Sequence, residues 1–270
     1  MQIRGDVALT NPGTMQPSLF RKASVSATVL LLSCAVSWSQ SAGELIREGD
    51  ISDARFDGGA SLQSYLPAEK LEPKNVALLV HISRAYRYLM SDTAKTSEKL
   101  RLGALAVTYA ERAAALEPKD ADAQLAVAIS YGKLQPLVSS GEKVRTARII
   151  KSQAEKAIRL DRGNDLTWHV LGRWNMGYAE LTGLKRTLAE LTYGTLPAPT
   201  YADAARCFEK AIALNPRRVI NYIELGQVYS EMGRTADARR VLSKGVALKQ
   251  TDKDDPEMKR RGRDILAKLR

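Results

Sequence analysis

One helix ending is written four times in this chain. ERAAALEP (111–118), EKAIRLDR (155–162), EKAIALNP (209–216) and SKGVALKQ (243–250) share a polar opening, small residues one helical turn apart and a leucine, with a closing proline in two of them. Taking Pro118, Arg162, Pro216 and Gln250 as equivalent, the spacings are 44, 54 and 34 residues. Self-similarity at such a period marks an array of stacked helical units, because a single unit of this size cannot bury its apolar face alone. The unequal spacings read as one unit of 34 residues carrying insertions of about 10 and 20 residues.

The interior of each unit supports this reading. The last unit places Tyr222, Leu225, Gly226 and Tyr229 on one helix, Gly233 in a turn, and Ala238, Leu242 and Gly245 on a second helix. The unit ending at Pro216 has Trp168, Leu171 and Gly172, then Ala204, Phe208 and Ala211. This resembles the tetratricopeptide repeat, in which small residues sit where two helices approach closely and bulky ones fill the gap to the next helix. The unit ending at Arg162 has Val127, Ala128, Tyr131, Ala154 and Ala157, and the unit ending at Pro118 has Ile82, Ser83, Tyr86, Ala106, Ala110 and Ala113. A degenerate fifth start precedes them in GELIREGDISDA, where Gly49 to Ala54 repeats the five-residue spacing of Gly233 to Ala238. The expected fold is all-α: a tetratricopeptide-like α-solenoid of helical hairpins over residues 44–250, with no strands.

Residues 1–39 fall outside that array. Arg21 and Lys22 precede the apolar run ASVSATVLLLSCAV, and Ser37 and Ser39 stand at the −3 and −1 positions of a cleavage site. The run is short and serine-rich for a span of about 30 Å. A signal peptide cleaved after Ser39 is the expectation, with Met15 as a second candidate start and export to the periplasm or outside the cell as the consequence. LLSC suggests a rival, lipidation at Cys34, which the large Leu32 disfavours; an uncleaved anchor is a further alternative. Cys207, next to Phe208 on a packed helix, is expected to be a buried small hydrophobe. Without residues 1–39 the chain keeps 38 basic and 29 acidic residues. Such a surplus favours acidic partners or membrane surfaces without specifying either. No basic motif interleaved with aromatics and no zinc-ligand spacing appears in the sequence, so nucleic acid is not an expected partner.

Between Lys151 and Pro216 the pattern is more specific than a generic repeat. It contains the Lys-Ala-Ile-x-Leu ending, an aspartate-led start to the Trp168 helix, and Leu171-Gly172-x-Trp174. An inserted helix (roughly 180–198) follows inside the third confident repeat, leaving through Leu-Pro-Ala-Pro-Thr-Tyr. Over about residues 44–250 the chain resembles the regulator of microtubule dynamics protein family. That resemblance implies a helical repeat protein, linked in animal members to microtubules and in some anchored at organelle membranes. Together with the expected signal peptide, it suggests a bacterial-type exported member.

Catalysis finds little support. His81 and His169 lie in different repeats, with no carboxylate at i+4 and no second histidine nearby, and no phosphate loop or nucleophile elbow occurs. No catalytic residue, metal site or cofactor is expected. In a tetratricopeptide stack the first helix of each pair lines the concave groove. The register carries Val80, Arg84 and Arg87, then Leu125 and Ile129, then His169, Arg173 and Met176, then Ile223 and Gln227 to that side. Arginine offers a bidentate fork to carboxylates, so an acidic or C-terminal peptide with apolar side chains is the expected partner. The alternative is a membrane-anchored or peripheral contact protein. Asp255-Pro256 opens a C-terminal helix over 255–270, with Met258, Ile265, Leu266 and Leu269 near one face and basic residues such as Lys259, Arg260 and Arg261 elsewhere. It is expected to cap the last repeat.

Overall fold

The computed structural model describes residues 40–182, Thr187 and residues 199–269. The expected signal segment, with Met15 and Cys34, lies outside the described residues, as does nearly all of the expected insertion. The elements are α1 (Ala42–Asp53), α2 (Gly58–Leu71), α3 (Val76–Asp92), α4 (Thr96–Leu116), α5 (Ala121–Leu134), α6 (Ser140–Leu160), α7 (Asp165–Ala179), α8 (Tyr201–Leu214), α9 (Val219–Glu231), α10 (Thr235–Ala247) and α11 (Asp255–Lys268). A 3-10 turn, Gln135–Leu137, follows α5. Among the described residues there is no strand, and the fold is the all-α solenoid that the repeats predict.

The repeated ending is a stop-and-restart device. At Glu72, Glu117, Asp161 and Asn215 the chain leaves its helix with φ between −128° and −140° and ψ between 68° and 108°. Three of these residues precede proline, which disfavours the helical region for the residue before it. A few residues on, Asn75, Asp120 and Asn164 cap the next helix by accepting a backbone N–H, from Leu78, Ala123 and Leu166. The copy at Leu71-Glu72-Pro73 escapes the sequence reading, yet it closes α2 in the same way and matches Leu116-Glu117-Pro118.

Helices pair as α1 with α2, α3 with α4, α5 with α6, α7 with α8 and α9 with α10, and each second helix packs on the first helix of the following pair. The first helices also meet in series, α3 with α5, α5 with α7 and α7 with α9, so one side of the array is built from them. Within a pair the contact is close because one partner lacks a side chain. A Cβ on Gly226 would lie 2.3 Å from Leu242 Cγ, and one on Gly172 would lie 2.8 Å from Phe208 Cε1. Ala106, Ala110 and Ala113 of α4, and Ala154 and Ala157 of α6, are fully buried on the opposing faces.

The first hairpin corrects the register read from GELIREGDISDA. Gly233, at φ +71°, donates its N–H to Ser230 O, and Arg234 N–H bonds Tyr229 O. The matching bonds in the first hairpin are Phe56 N–H to Asp53 O and Asp57 N–H to Ser52 O, with Phe56 at φ +61°. The turn residue equivalent to Gly233 is therefore Phe56. The same displacement carries Gly226 onto Gly49 and Leu242 onto Tyr65. A Cβ on Gly49 would indeed meet Tyr65 Cε1 at 2.2 Å. The sequence hid this because the turn lacks its glycine.

Neighbouring repeats are also joined by a recurring hydrogen bond. The glutamate opening the repeated ending accepts from a tyrosine of the next first helix: Tyr131 to Glu111 at 2.7 Å and Tyr229 to Glu209 at 2.6 Å. Cys207 is buried, and burial pushes its thiol up to about 11. α11 lays Met258, Ile265, Leu266 and Leu269 against the cluster of Val219, Ile223 and Leu242, capping the last pair.

Overpacking a close helix contact destabilises by about 1–3 kcal/mol. Gly226→Ala is expected to lower stability within that range in urea unfolding. Leu242→Ala alone should cost about 2–5 kcal/mol. In the double variant the added methyl occupies space that the leucine vacates, so its loss should be smaller than the sum of the two. Additive losses would mean that Gly226 does not mark the helix contact.

Candidate groove and its polar floor

The side lined by first helices carries a series of cross-helix polar bonds, arranged in levels. At the first level Arg84 of α3 forms a fork on Asp53 of α1, with bonds of 3.1 and 2.6 Å, and His81 Nδ1 stands 3.1 Å from Asp50 Oδ1. Tyr65 OH donates to the same carboxylate at 2.7 Å. Asp53 thus ties the first hairpin to the second, while the Tyr65 bond to Asp50 lies within the first hairpin.

One level on, Arg87 lies buried between α3 and α5 and donates to the hydroxyls of Ser83 (2.9 Å) and Ser130 (3.0 Å). No carboxylate stands within 4 Å of it among the described residues. Burial pulls its guanidinium down to about 10. Its direct partners are thus neutral hydroxyls, and the carboxylates of Asp252 and Asp53 act on it only from a distance.

The next levels join α7 to α9. Asp165 receives the Arg218 guanidinium at 2.5 Å and the Asn221 amide at 3.2 Å. The Asn221 amide nitrogen is committed to Asp165, so its oxygen accepts from His169 Nδ1–H at 2.9 Å, which fixes the neutral tautomer. Glu224, 1% exposed, takes Arg173 at 2.6 Å and a fork from Arg261 of α11, both bonds 2.9 Å. Arg261 also donates to Gln227. Glu224 carries no signal in sequence, because an acidic residue inside an apolar repeat helix reads as surface until the opposing arginines are located.

The residues expected to line a groove divide into two groups. Arg87, Leu125, His169, Met176 and Ile223 are buried and hold the array together, a correction to the expectation that they face a partner. The reason is geometric: first helices also pack on one another, and Ile223 is covered by α10 and the capping helix. Val80, Arg84, Ile129 and Gln227 keep partial exposure, and Arg173 is 47% exposed in its side chain. Arg261, read as a charge of the capping helix, turns into the groove. Lys133 and Arg218, absent from the expected set, also lie on this side. Among the described residues no group of three or more His, Cys, Asp or Glu side chains is arranged to hold a metal.

His169 and Glu224 make the floor sensitive to acid. Burial pulls His169 down to about 4, with Arg173 and Arg218 adding to the effect while Glu224 opposes it. Burial would raise Glu224, but Arg173 and Arg261 outweigh it and hold the carboxyl at about 2. Both groups release protons more readily folded than unfolded, so the unfolded chain binds more protons as pH falls, first below about 6.5 and then below about 4.5. Stability should therefore decline from pH 7 to 3. In His169→Gln the slope of unfolding free energy against pH should flatten between pH 6.5 and 4.5, whatever its absolute stability. An unchanged slope would show that His169 titrates normally.

Comparison with known proteins follows the same lines. The family model "Regulator of microtubule dynamics protein 1-3" matches residues 40–270. Regulator of microtubule dynamics protein 1 of Mus musculus is 26% identical over 222 residues, covering 81% of this chain and 72% of that protein. Regulator of microtubule dynamics protein 2 of Rattus norvegicus is 22% identical over 198 residues, covering 73% of this chain and 48% of that one. Among solved structures, a thermophilic tetratricopeptide-repeat protein of Thermus thermophilus superposes with a TM-score of 0.60 at 17% identity, over 84% of this chain and all of that one. The model match spans every described residue, and the chain belongs to the regulator of microtubule dynamics protein 1-3 family.

Proposed function

We propose that this protein is a non-enzymatic interaction module whose first-helix side binds an acidic peptide segment of a protein partner. The observation that carries the reading is the gathering of cations on that one side. Arg84 and Arg173 are each held by a carboxylate on one edge while part of the guanidinium faces solvent, and Arg87 leaves positive charge beneath them. Pre-positioned arginines lose little side-chain freedom on binding a carboxylate, which favours recognition over diffuse attraction. Ile129 and Val80 add apolar contact between the cationic levels.

We propose further that residues 1–39 direct export, so that the partner is met in the periplasm or outside the cell and is not tubulin. Protein isolated from its native host and beginning at Gln40 fits that reading, whereas an intact Met1 or Met15 start contradicts it.

The groove reading is tested by titrating the partner that co-purifies from the native host. Arg84→Gln with Arg173→Ala is expected to weaken binding tenfold or more, about 1.4 kcal/mol. Lys210→Ala with Arg263→Ala removes the same charge from exposed positions on α8 and α11 and should change affinity far less. Scattered surface charges act over a screening length of about 8–10 Å and fade with salt. Equal losses in both variants that vanish in high salt would mean a diffuse basic surface and would end the groove reading.

A further inference from the structure

The link between α10 and α11 is longer than the links that join the other repeats, and its extra residues do not simply bridge the two helices. Thr251–Asp255 runs back to the other end of the array. Asp254 accepts from Ser91 Oγ at 2.8 Å and pairs with Lys133 Nζ at 2.7 Å. Lys133 in turn reaches Ser91 Oγ at 2.7 Å. Lys253 pairs with Asp92 at 2.5 Å and reaches Phe56 O at 3.3 Å. Asp252 stands 3.8 Å from Arg218 and is among the carboxylates acting on the buried Arg87. The turn thus connects α3, α5 and the start of α9 across the side lined by first helices.

Its internal geometry is set independently of those contacts. Asp255, 1% exposed, accepts the backbone N–H groups of Thr251 (2.7 Å) and Asp252 (2.9 Å), which folds the turn and starts α11. The carboxylates of Asp252 and Asp254 are thereby presented to the array as a preformed acidic segment. Every bond named between the turn and α3 or α5 is polar and joins partly exposed groups. Lys133 is 28% exposed, Asp254 31% and Asp92 45%. Exposed pairs of this kind are worth about 0–1 kcal/mol each and are screened by salt. α11 is held differently, by Met258, Ile265, Leu266 and Leu269 on the apolar cluster. The turn's hold on α3 and α5 is thus chemically distinct from the cap's hold on the last pair.

We propose that Thr251–Asp254 is an intramolecular ligand: it fills a carboxylate seat formed by Ser91 and Lys133, with Arg218 beside it, and an external acidic segment binds there by displacing it. This rests on the reading of the first-helix side as an acidic-peptide groove and names the seat within it. Arg87, bonded directly only to hydroxyls, adds a longer-range positive field that favours a carboxylate-bearing segment there. A tethered segment acts at an effective concentration on the order of millimolar, so a weak seat is filled by the chain itself and admits only competitors that bind more tightly or arrive in number.

The test uses a fluorescein-labelled peptide with the chain's own sequence, KQTDKDDP, added to protein comprising residues 40–270. In Lys253→Met/Asp254→Asn the tethered segment keeps its size and loses its hold, and the peptide should bind at least tenfold more tightly than to the unaltered protein. Adding Lys133→Ala should abolish that gain, and the peptide KQTNKNNP should not bind. Thermal melting of each variant, with α11 in place, should stay cooperative. A cysteine pair at positions 91 and 254 provides a second reading: oxidised, it should exclude the peptide, and reduced, it should admit it. Equal binding to the unaltered and released proteins, or binding indifferent to Lys133, would overturn the seat. If KQTDKDDP binds neither form while the native partner still depends on Arg84 and Arg173, the seat is wrong and the groove reading stands. If the native partner ignores Arg84 and Arg173 as well, the groove reading falls with it.

Discussion

The structure depends on a missing atom. In three hairpins a glycine on the first helix faces a bulky side chain of the second at a distance that no Cβ could share: Gly49 with Tyr65, Gly172 with Phe208, and Gly226 with Leu242. Close approach sets the spacing between paired helices, and that spacing decides how the next pair seats in the resulting furrow. The first helices are then brought near enough to touch one another in series. The shape of the side lined by first helices therefore follows from packing within the pairs, where alanines and glycines meet Tyr, Phe and Leu.

Polar groups have a different task. The walls between hairpins are mostly apolar with a tyrosine–glutamate bond at their edge, whereas the bonds that cross from one first helix to another are largely ionic or hydroxyl-mediated: Arg84 to Asp53, Arg87 to Ser130, Arg218 to Asp165, Arg173 to Glu224. Buried charges contribute little net stability, because desolvation offsets much of the attraction, but removing one partner is strongly destabilising. Their effect is positional. Each fixes the rotation of one first helix against the next and so aims the exposed half of Arg84 and Arg173. Membership of the microtubule-dynamics family accounts for the array; this polar floor is where the present chain's own recognition chemistry would reside.

Much of the fold was legible in the residues. Ala-x-x-Leu endings with proline and an N-cap a few residues on carry their mechanism on their face, and Leu-Gly with a following tyrosine reports a close helix pair. The first hairpin was harder, because Phe56 adopts the left-handed turn conformation that Gly233 advertises elsewhere, and Gly49 then looked like a turn glycine. The candidate groove was half legible. Register alone puts Arg84 and Arg87 on the same side, yet three positions along one helix separate a guanidinium that meets solvent from one sealed between two serines. Glu224, Lys133 and the Asp252–Asp254 stretch carry no local signal, since their roles come from contacts with residues 34 to 197 positions away.

The central claim is that a rigid apolar array holds a polar seat from which the acidic turn can detach. Backbone amide NMR shifts during a salt titration test it most directly. The account predicts that Ser91, Asp92, Lys133 and residues 251–254 shift together with one midpoint, while amides around Gly226, Phe208 and the α11 core positions stay fixed. Shifts confined to the turn, with Ser91 and Lys133 unmoved, would contradict it, as would a concerted change that swept through the helix contacts as well.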